Sequence, residues 1–142
     1  MAAKLFIDTW GWLTLHDKGE RYHQQATQVY QQAIAQSGQI YTTDYVLDET
    51  FTLFFRRLPA PHAEQSMKRL TAAFSASNFH LIQINEERFS QTESLRSRFL
   101  DKPLISFTDL TSMVVMRELD ITRILTEDTH FTHIGMGFQL LP

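Results

Sequence analysis

Five short runs of apolar and β-branched residues alternate with longer segments whose apolar residues recur at helical spacing. The runs predict five strands, at residues 4–7, 40–42, 80–84, 123–126 and 138–141. Strands separated by helices are joined by right-handed crossovers, so the pattern predicts a mostly parallel sheet with helices on both faces. Residues 1–142 are therefore expected to form a single-domain three-layer α/β/α sandwich. The direction of the last strand stays open.

Helical spacing between these runs predicts five helices. The first covers residues 26–34 and ends before Gly38, and the second runs from a cap at Asp44 to Pro59. The second helix has a continuous apolar stripe, formed by Leu47, Phe51, Phe54, Phe55 and Leu58. The other three are expected near residues 63–74, 86–100 and 108–119.

The composition restricts the classes of protein to which the chain can belong. At 142 residues, 43% of them hydrophobic, it fits one domain with a substantial core. It has no cysteine, which excludes disulfide bonds and thiolate metal sites. A net charge of −3 argues against a protein that coats nucleic acid by bulk electrostatics. The N-terminal apolar run predicts neither a membrane span nor a signal peptide, so the expected location is the cytoplasm.

Four acidic residues follow strands or begin helices at equivalent points of this pattern. Asp8 ends the first strand and Asp128 follows the fourth. Glu49 and Asp109 lie near the starts of helices that are expected to begin at the same edge of the sheet. Because parallel strands end at one edge, where ligands bind in such folds, the topology brings all four together. Asp8 is the hardest of the four to explain as an ordinary structural residue. An acid at the end of a buried strand costs desolvation energy unless an opposite charge or a hydrogen-bond donor compensates its charge.

Each of the other acids also has an ordinary structural explanation. Asp109 stands three residues after Ser106, as in a helix-capping box, and Asp128 can begin a turn. Glu49 can be a solvated helix residue, and the adjacent Asp48 makes the choice between the two ambiguous. These explanations are plausible one by one but leave the common edge unexplained.

Oxygen ligands without thiolates favour Mg²⁺ or Mn²⁺ over zinc. An ion held by the four acids would polarise a phosphodiester and activate a water molecule for its hydrolysis, with one or two ions involved. Three hydroxyl side chains are candidates for orienting ligands or water, with helix capping and strand ending as their alternative roles: Thr9, Ser106 and Thr126.

Several other side chains are candidates for contacting a nucleic acid. The basic ones are Arg96, Arg98 and Lys102, with solvated helix surface as their alternative role. Trp10 and Trp12 are expected to stack on bases or to pack in a contact between subunits, and packing in the core is favoured for Trp12. His130 is the histidine nearest the predicted edge, and we interpret it as a surface residue.

Four blocks of the chain, at residues 6–9, 43–50, 106–109 and 126–131, resemble the signature blocks of PIN domains. The run from residue 106 to 138 resembles bacterial and archaeal VapC toxins in particular. The resemblance implies a Mg²⁺-dependent endoribonuclease, the toxin of a type II toxin–antitoxin pair, acting on structured RNA such as tRNA or ribosomal RNA. It also implies a homodimer and a VapB-type antitoxin whose C-terminal segment blocks the acids. The family pattern places the ligand on Glu49 rather than Asp48, and Trp10 departs from it, because a small residue is common there.

Three other functions fit parts of the sequence. A PIN-type nuclease can serve RNA processing or quality control without an antitoxin. A phosphatase or phosphotransfer domain can use a strand-ending Asp such as Asp8 as nucleophile, although the second Asp expected two positions on is Trp10 here. An interaction module that binds no metal, with vestigial acids, is the remaining alternative.

Overall fold

The computed structural model describes residues 3–142, so the first two residues of the predicted domain lie outside the described residues. It contains a five-stranded sheet. The strands are β1 Lys4–Ile7, β2 Gln39–Thr43, β3 Phe79–Ile82, β4 Arg123–Leu125 and β5 Gln139–Leu141. Their order is β3-β2-β1-β4-β5, and every neighbouring pair is parallel. The α/β/α architecture is confirmed, and the last strand runs in the same direction as the others.

Helices cover the sheet and connect its strands. They are α1 Thr9–His16, α2 His23–Ala35, α3 Asp44–Arg57, α4 Ala60–Ala73, α5 Glu86–Arg98, α6 Phe107–Glu118 and α7 His130–His133. The sequence predicts neither α1 nor α7. In α1 buried residues occur on nearly every face, so no apolar stripe marks it, and α7 is a single turn. Within residues 3–142, no helix combines the length and apolarity that crossing a bilayer requires.

The first strand lies at the centre of the sheet. Phe6 pairs with Tyr41 of β2 on one side and with Ile124 of β4 on the other. Leu5, Phe6 and Ile7 are buried, as expected for a strand covered by helices on both faces. The residue after β1 therefore emerges in the middle of the carboxyl edge, between the ends of two neighbouring strands.

The start and the stripe of α3 differ from the prediction. Thr43 caps this helix, because its Oγ1 accepts from the backbone amide three residues on at 3.1 Å. Asp44 is the first helical residue, and its Oδ1 accepts from the backbone N of Ile84 at 2.9 Å, which connects α3 to the end of β3. Phe54 is fully buried, whereas Phe55 is 48% exposed because it lies about 100° further round the helix.

Gly11 allows α1 to pack directly against the sheet. A Cβ atom at this position would lie 2.5 Å from the backbone O of Leu125 and 2.7 Å from Cγ2 of Ile7. Both neighbours belong to central strands, so neither can move without disturbing the sheet. The glycine is needed for this close approach rather than for an unusual backbone conformation.

We expect Gly11→Ala to lower the free energy of unfolding by about 1–3 kcal/mol, because the added methyl group overpacks this contact. Urea unfolding followed by circular dichroism measures the change. Gly19→Ala is the matched control, since the nearest atom to its Cβ would be an exposed Asp17 oxygen at 3.2 Å. Equal stability losses in the two variants would contradict the packing explanation.

Candidate active site

Asp8 is a buried carboxylate at the end of β1, and it is 5% exposed. Its Oδ1 caps α1 by accepting from the backbone N of Gly11 at 2.9 Å, and its Oδ2 accepts from the hydroxyl of Thr126. Burial raises the pKa of Asp8 to about 7, despite these two hydrogen bonds, and the charges of Asp128 and Glu49 add to the rise. The capping role explains the conformation of α1, but it leaves a carboxylate that is costly to ionise.

The four predicted acids line one cavity of about 310 Å³ at the carboxyl edge, hereafter the acid pocket. Its walls also contain the predicted Thr9 and Ser106. The remaining lining residues are Trp10, Leu13, Leu53 and Arg57. The fold thus brings together acids that are up to 120 positions apart in sequence (128 − 8 = 120).

Asp109 and Asp128 lie next to each other in the acid pocket, with carboxylate oxygens within 4.8 Å of one another. Burial raises the pKa of Asp109, and the adjacent carboxyl of Asp128 and the charge of Asp8 raise it further. Ser106 caps α6, since its Oγ accepts from the backbone N of Asp109 at 3.0 Å. The capping explanation is therefore correct for Ser106, and it holds Asp109 in the first turn of α6, where its side chain lines the pocket.

Thr126 connects two of the acids. Its hydroxyl donates to Asp8 and accepts from the backbone N of Asp128 at 3.0 Å. Because a hydroxyl can donate one hydrogen bond while accepting another, a single buried side chain fixes both neighbours. Thr126 therefore orients Asp8 and the loop that carries Asp128.

The structure separates Glu49 from its neighbour Asp48. Glu49 is half-buried and lines the acid pocket. Asp48 is exposed and lines a different cavity, together with Asp44, Tyr45 and Thr108. The two positions on α3 differ by about 100°, so only one can face the other acids.

His130 approaches the acids more closely than the sequence suggests. Potential ligand atoms of Asp109, Asp128 and His130 all lie within 4.8 Å of one another. The Nδ1 atom of His130 is 3.1 Å from Oδ1 of Asp128, but that oxygen already accepts from the backbone N of His130 at 2.9 Å. Nδ1 is buried and has no hydrogen-bond partner within the described part of the chain. The interpretation of His130 as a surface residue is therefore revised, and its position two residues after Asp128 was the available signal.

Arg96 has a structural role that the sequence did not reveal. Its guanidinium donates to three backbone oxygens, those of Phe99 at 2.6 Å, Lys102 at 2.7 Å and Ile105 at 2.7 Å. These bonds hold the loop between α5 and α6. Arg96 is therefore no longer a candidate for contacting a substrate.

The other two predicted basic residues are not among those that line the acid pocket. Arg98 is exposed beside the ring of Phe99, and Lys102 pairs with Asp101 at 3.7 Å. The cation that lines the pocket is Arg57, at the end of α3, which also pairs with Glu20 at 3.2 Å. Arg57 is one of many basic residues in the sequence, and helix periodicity does not show which loop its side chain reaches.

The comparisons with known proteins identify the family. The family model for the PIN domain matches residues 5–136. The chain belongs to the PIN-domain family. Comparison with curated proteins gave no significant match. The resemblance of the four sequence blocks to PIN domains is thereby confirmed.

Solved structures of two PIN-type systems share this fold. VapC20 of Mycobacterium tuberculosis, described as a toxin that cleaves the sarcin–ricin loop, is 24% identical with a TM-score of 0.80. The similarity covers 97% of this PIN domain and 99% of VapC20. VapBC2 of Rickettsia felis, bound to a DNA fragment from the promoter, is 17% identical with a TM-score of 0.68, and 96% of each chain is covered.

Proposed function

We propose that this PIN domain, over residues 1–142, is a divalent-metal-dependent endoribonuclease and the toxin of a type II toxin–antitoxin pair. The observation that carries the proposal is the convergence of Asp8, Glu49, Asp109 and Asp128 on one pocket. Carboxylates gathered in this way repel one another unless a cation lies among them. Burial raises the pKa values of Asp8 and Asp109, and the charges of the neighbouring acids raise them further.

The donor set of the acid pocket fits a hard divalent ion. Asp8, Glu49, Asp109 and Asp128 would hold Mg²⁺ or Mn²⁺ through carboxylate oxygens. When bound, such an ion polarises the scissile phosphate and lowers the pKa of a water molecule. Thr126 and the amide of Gly11 hold Asp8 by hydrogen bonds, and Ser106 caps the first turn of α6, which carries Asp109. Thr9 forms the buried wall beside Asp8.

The decisive experiment incubates the purified protein with total RNA and Mg²⁺ and maps the new ends. Hydrolysis by water predicts 5′-phosphate and 3′-hydroxyl products, because the substrate 2′-hydroxyl takes no part. Products ending in a 2′,3′-cyclic phosphate would rule out the proposed chemistry. Asp8→Asn is the parallel control that separates cleavage by this protein from cleavage by a contaminant.

Structured RNA is the substrate class that we propose, either tRNA or ribosomal RNA. VapC20 is described as cleaving the sarcin–ricin loop and has the same fold, which makes ribosomal RNA the first substrate to test. Primer extension across ribosomal RNA and across a tRNA pool distinguishes the two. The site of action is then the cytoplasm, where both RNAs are found.

A VapB-like antitoxin and a homodimer complete the proposal. The similarity to VapBC2 supports an antitoxin partner, whose bound segment would cover the acid pocket. Leu100 and Leu104 are 76% and 85% exposed, and such apolar residues suit a contact between subunits. Sedimentation velocity measures the oligomeric state, with Leu104→Glu expected to shift a dimer to monomer.

Expression in a bacterial host separates the toxin from a PIN nuclease of RNA processing. Growth arrest that is relieved by a small neighbouring gene supports the toxin. RNA cleavage without growth arrest supports the processing enzyme. The acids of the pocket serve the same chemistry in both cases.

His130 adds a nitrogen to the donor set in our proposal. Its Nδ1 lies 3.1 Å from Oδ1 of Asp128 and has no hydrogen-bond partner among the described residues, so the two atoms would be able to bind one ion together. Imidazole is a better ligand for transition metals than for Mg²⁺. The pocket should therefore prefer Mn²⁺ to Mg²⁺.

We expect His130→Ala to weaken Mn²⁺ binding about tenfold and Mg²⁺ binding much less. Calorimetric titration measures both affinities, and pulsed electron paramagnetic resonance of bound Mn²⁺ should show a ¹⁴N coupling that this variant loses. His133→Ala, on the exposed side of the same helix, is the control. A spectrum without ¹⁴N coupling in the unmodified protein would show that His130 does not bind the ion.

A further inference from the structure

Trp10 lines two neighbouring cavities. Its side chain forms a wall of the acid pocket and also of a second cavity of about 290 Å³, hereafter the side pocket. The other lining residues of the side pocket are Tyr22, Thr126, Glu127, Leu140 and Pro142. The two cavities are thus adjacent, and the indole of Trp10 lies between them.

Thr126 provides a second connection between the cavities. It lines the side pocket, while its hydroxyl donates to the Asp8 carboxylate in the acid pocket. Only the side chain of Thr126 therefore separates a group bound in the side pocket from Asp8, an acid that we assign to metal binding. The side pocket is thus in the right place for the part of a substrate next to the reacting phosphate.

Two aromatic rings form the apolar part of the side pocket. Trp10 and Tyr22 meet edge to face, with centroids 6.3 Å apart and planes inclined by 61°. In such a pair one ring presents only its edge to the other, so its own faces remain available for further contacts. The guanidinium of Arg21 lies 5.1 Å from the Tyr22 ring centroid and supports that ring from outside.

We propose that the side pocket binds an unpaired nucleobase of the RNA whose phosphodiester lies in the acid pocket. The inference rests on the proposed nuclease function and specifies how it selects its substrate. Aromatic side chains beside a cleavage site stack on bases that have been splayed out of a loop, and every base offers a face for this contact. In a chain with a net charge of −3, stacking provides affinity that bulk electrostatics does not.

Glu127 adds selectivity to the stacking contact. It is exposed at the side pocket and carries only hydrogen-bond acceptors when ionised. Adenine, guanine and cytosine have an exocyclic amino group that donates to a carboxylate, whereas uracil offers only its ring N3–H. Loops that place one of these three bases next to the scissile phosphate should therefore be cleaved in preference to loops with uracil there.

Binding can be tested without cleavage. In an Asp109→Asn background, single-stranded ten-nucleotide oligo(A) and an abasic oligomer of equal length are titrated while tryptophan emission is recorded. Trp12 is 1% exposed and its indole N–H donates to Thr42, so quenching reports on Trp10. Oligo(A) should quench the emission, and Trp10→Phe should abolish the signal while an anisotropy assay shows retained affinity.

Leucine variants test the contribution of the two rings. Trp10→Leu and Tyr22→Leu should each weaken binding of oligo(A) by about tenfold and leave binding of the abasic oligomer unchanged. Phe89→Leu is the control, because Phe89 is also half-exposed and aromatic but packs against Phe107 on another face. Thermal unfolding of each variant verifies that the fold is intact.

The outcomes separate this proposal from the nuclease function. Equal affinity for oligo(A) and the abasic oligomer, or equal effects of Trp10→Leu and Phe89→Leu, overturns the base-binding pocket even if the protein cleaves RNA. If quenching depends on the base but the protein cleaves no RNA, the result supports the base-binding pocket and contradicts the proposed nuclease function. When cleavage occurs, abasic substitution next to the mapped site should lower kcat/KM about tenfold, with the loss mainly in KM.

Discussion

Asp8→Asn should lower RNA cleavage by about a thousandfold or more, because the substitution removes one of the four charges that we assign to metal binding. The substitution keeps the volume of the side chain and leaves an oxygen that can accept from Gly11, so the helix cap is preserved. The loss should therefore appear in activity rather than in folding. Initial cleavage rates at saturating Mg²⁺ measure it.

Asp48→Asn is the matched control for this experiment. Asp48 is an exposed acid next to Glu49 but outside the acid pocket, so its removal changes the net charge equally without changing the site. We expect its cleavage rate to stay within about twofold of the unmodified protein. Residual activity above a tenth in Asp8→Asn, or equal losses in both variants, would contradict the assigned role of Asp8.

The same Asp8→Asn variant should be more stable than the unmodified protein at neutral and alkaline pH when metal is removed. Burial raises the pKa of Asp8 from 3.8 to about 7, so the folded protein retains a proton that the unfolded chain loses between those values. Stability therefore falls as pH rises through this range and becomes level above it. The shift implies a gain of about 2–4 kcal/mol for the variant at pH 8.

Urea unfolding in the presence of a chelator, at pH values from about 4 to 8, measures this difference. Near pH 4 the unfolded chain has only begun to lose the proton that the folded state retains, so little of the difference has accumulated and the two proteins should have similar stability there. Addition of Mg²⁺ at pH 8 should stabilise the unmodified protein more than the variant, because the ion compensates the negative charge of the ionised Asp8 carboxylate. A variant that is less stable at every pH would show that Asp8 contributes mainly through its hydrogen bonds.

The predicted fold and the meeting of the acids both follow from the position of short strands in the chain. Leu5, Phe6 and Ile7 show no polar alternation, which is typical of a central parallel strand, and the acid after them must emerge at the carboxyl edge. Neither conclusion requires knowledge of side-chain orientation. The helix α1 was missed because it is buried on nearly all sides, and periodicity detects only helices with one apolar face.

The assignments that failed depend on where long side chains reach. Arg96 looked like a surface cation, but its guanidinium binds three carbonyls of a folded loop. His130 looked like a surface residue, but its Nδ1 is buried beside Asp128. A side chain of this length spans several ångströms, so its partners are set by tertiary packing rather than by its position in an element.

The sequence by itself determined the five strands and the five longer helices between them, and through them the edge at which four distant acids meet. The tertiary structure agrees with the family pattern that Glu49 rather than Asp48 faces them. It alone decided that Thr126 connects Asp8 to the Asp128 loop, and that Trp10 separates two pockets. The physical reason is that backbone topology follows from local hydrophobic patterns, which are written along the chain. The contacts of individual side chains arise between segments that are distant in sequence and exist only once the core has packed.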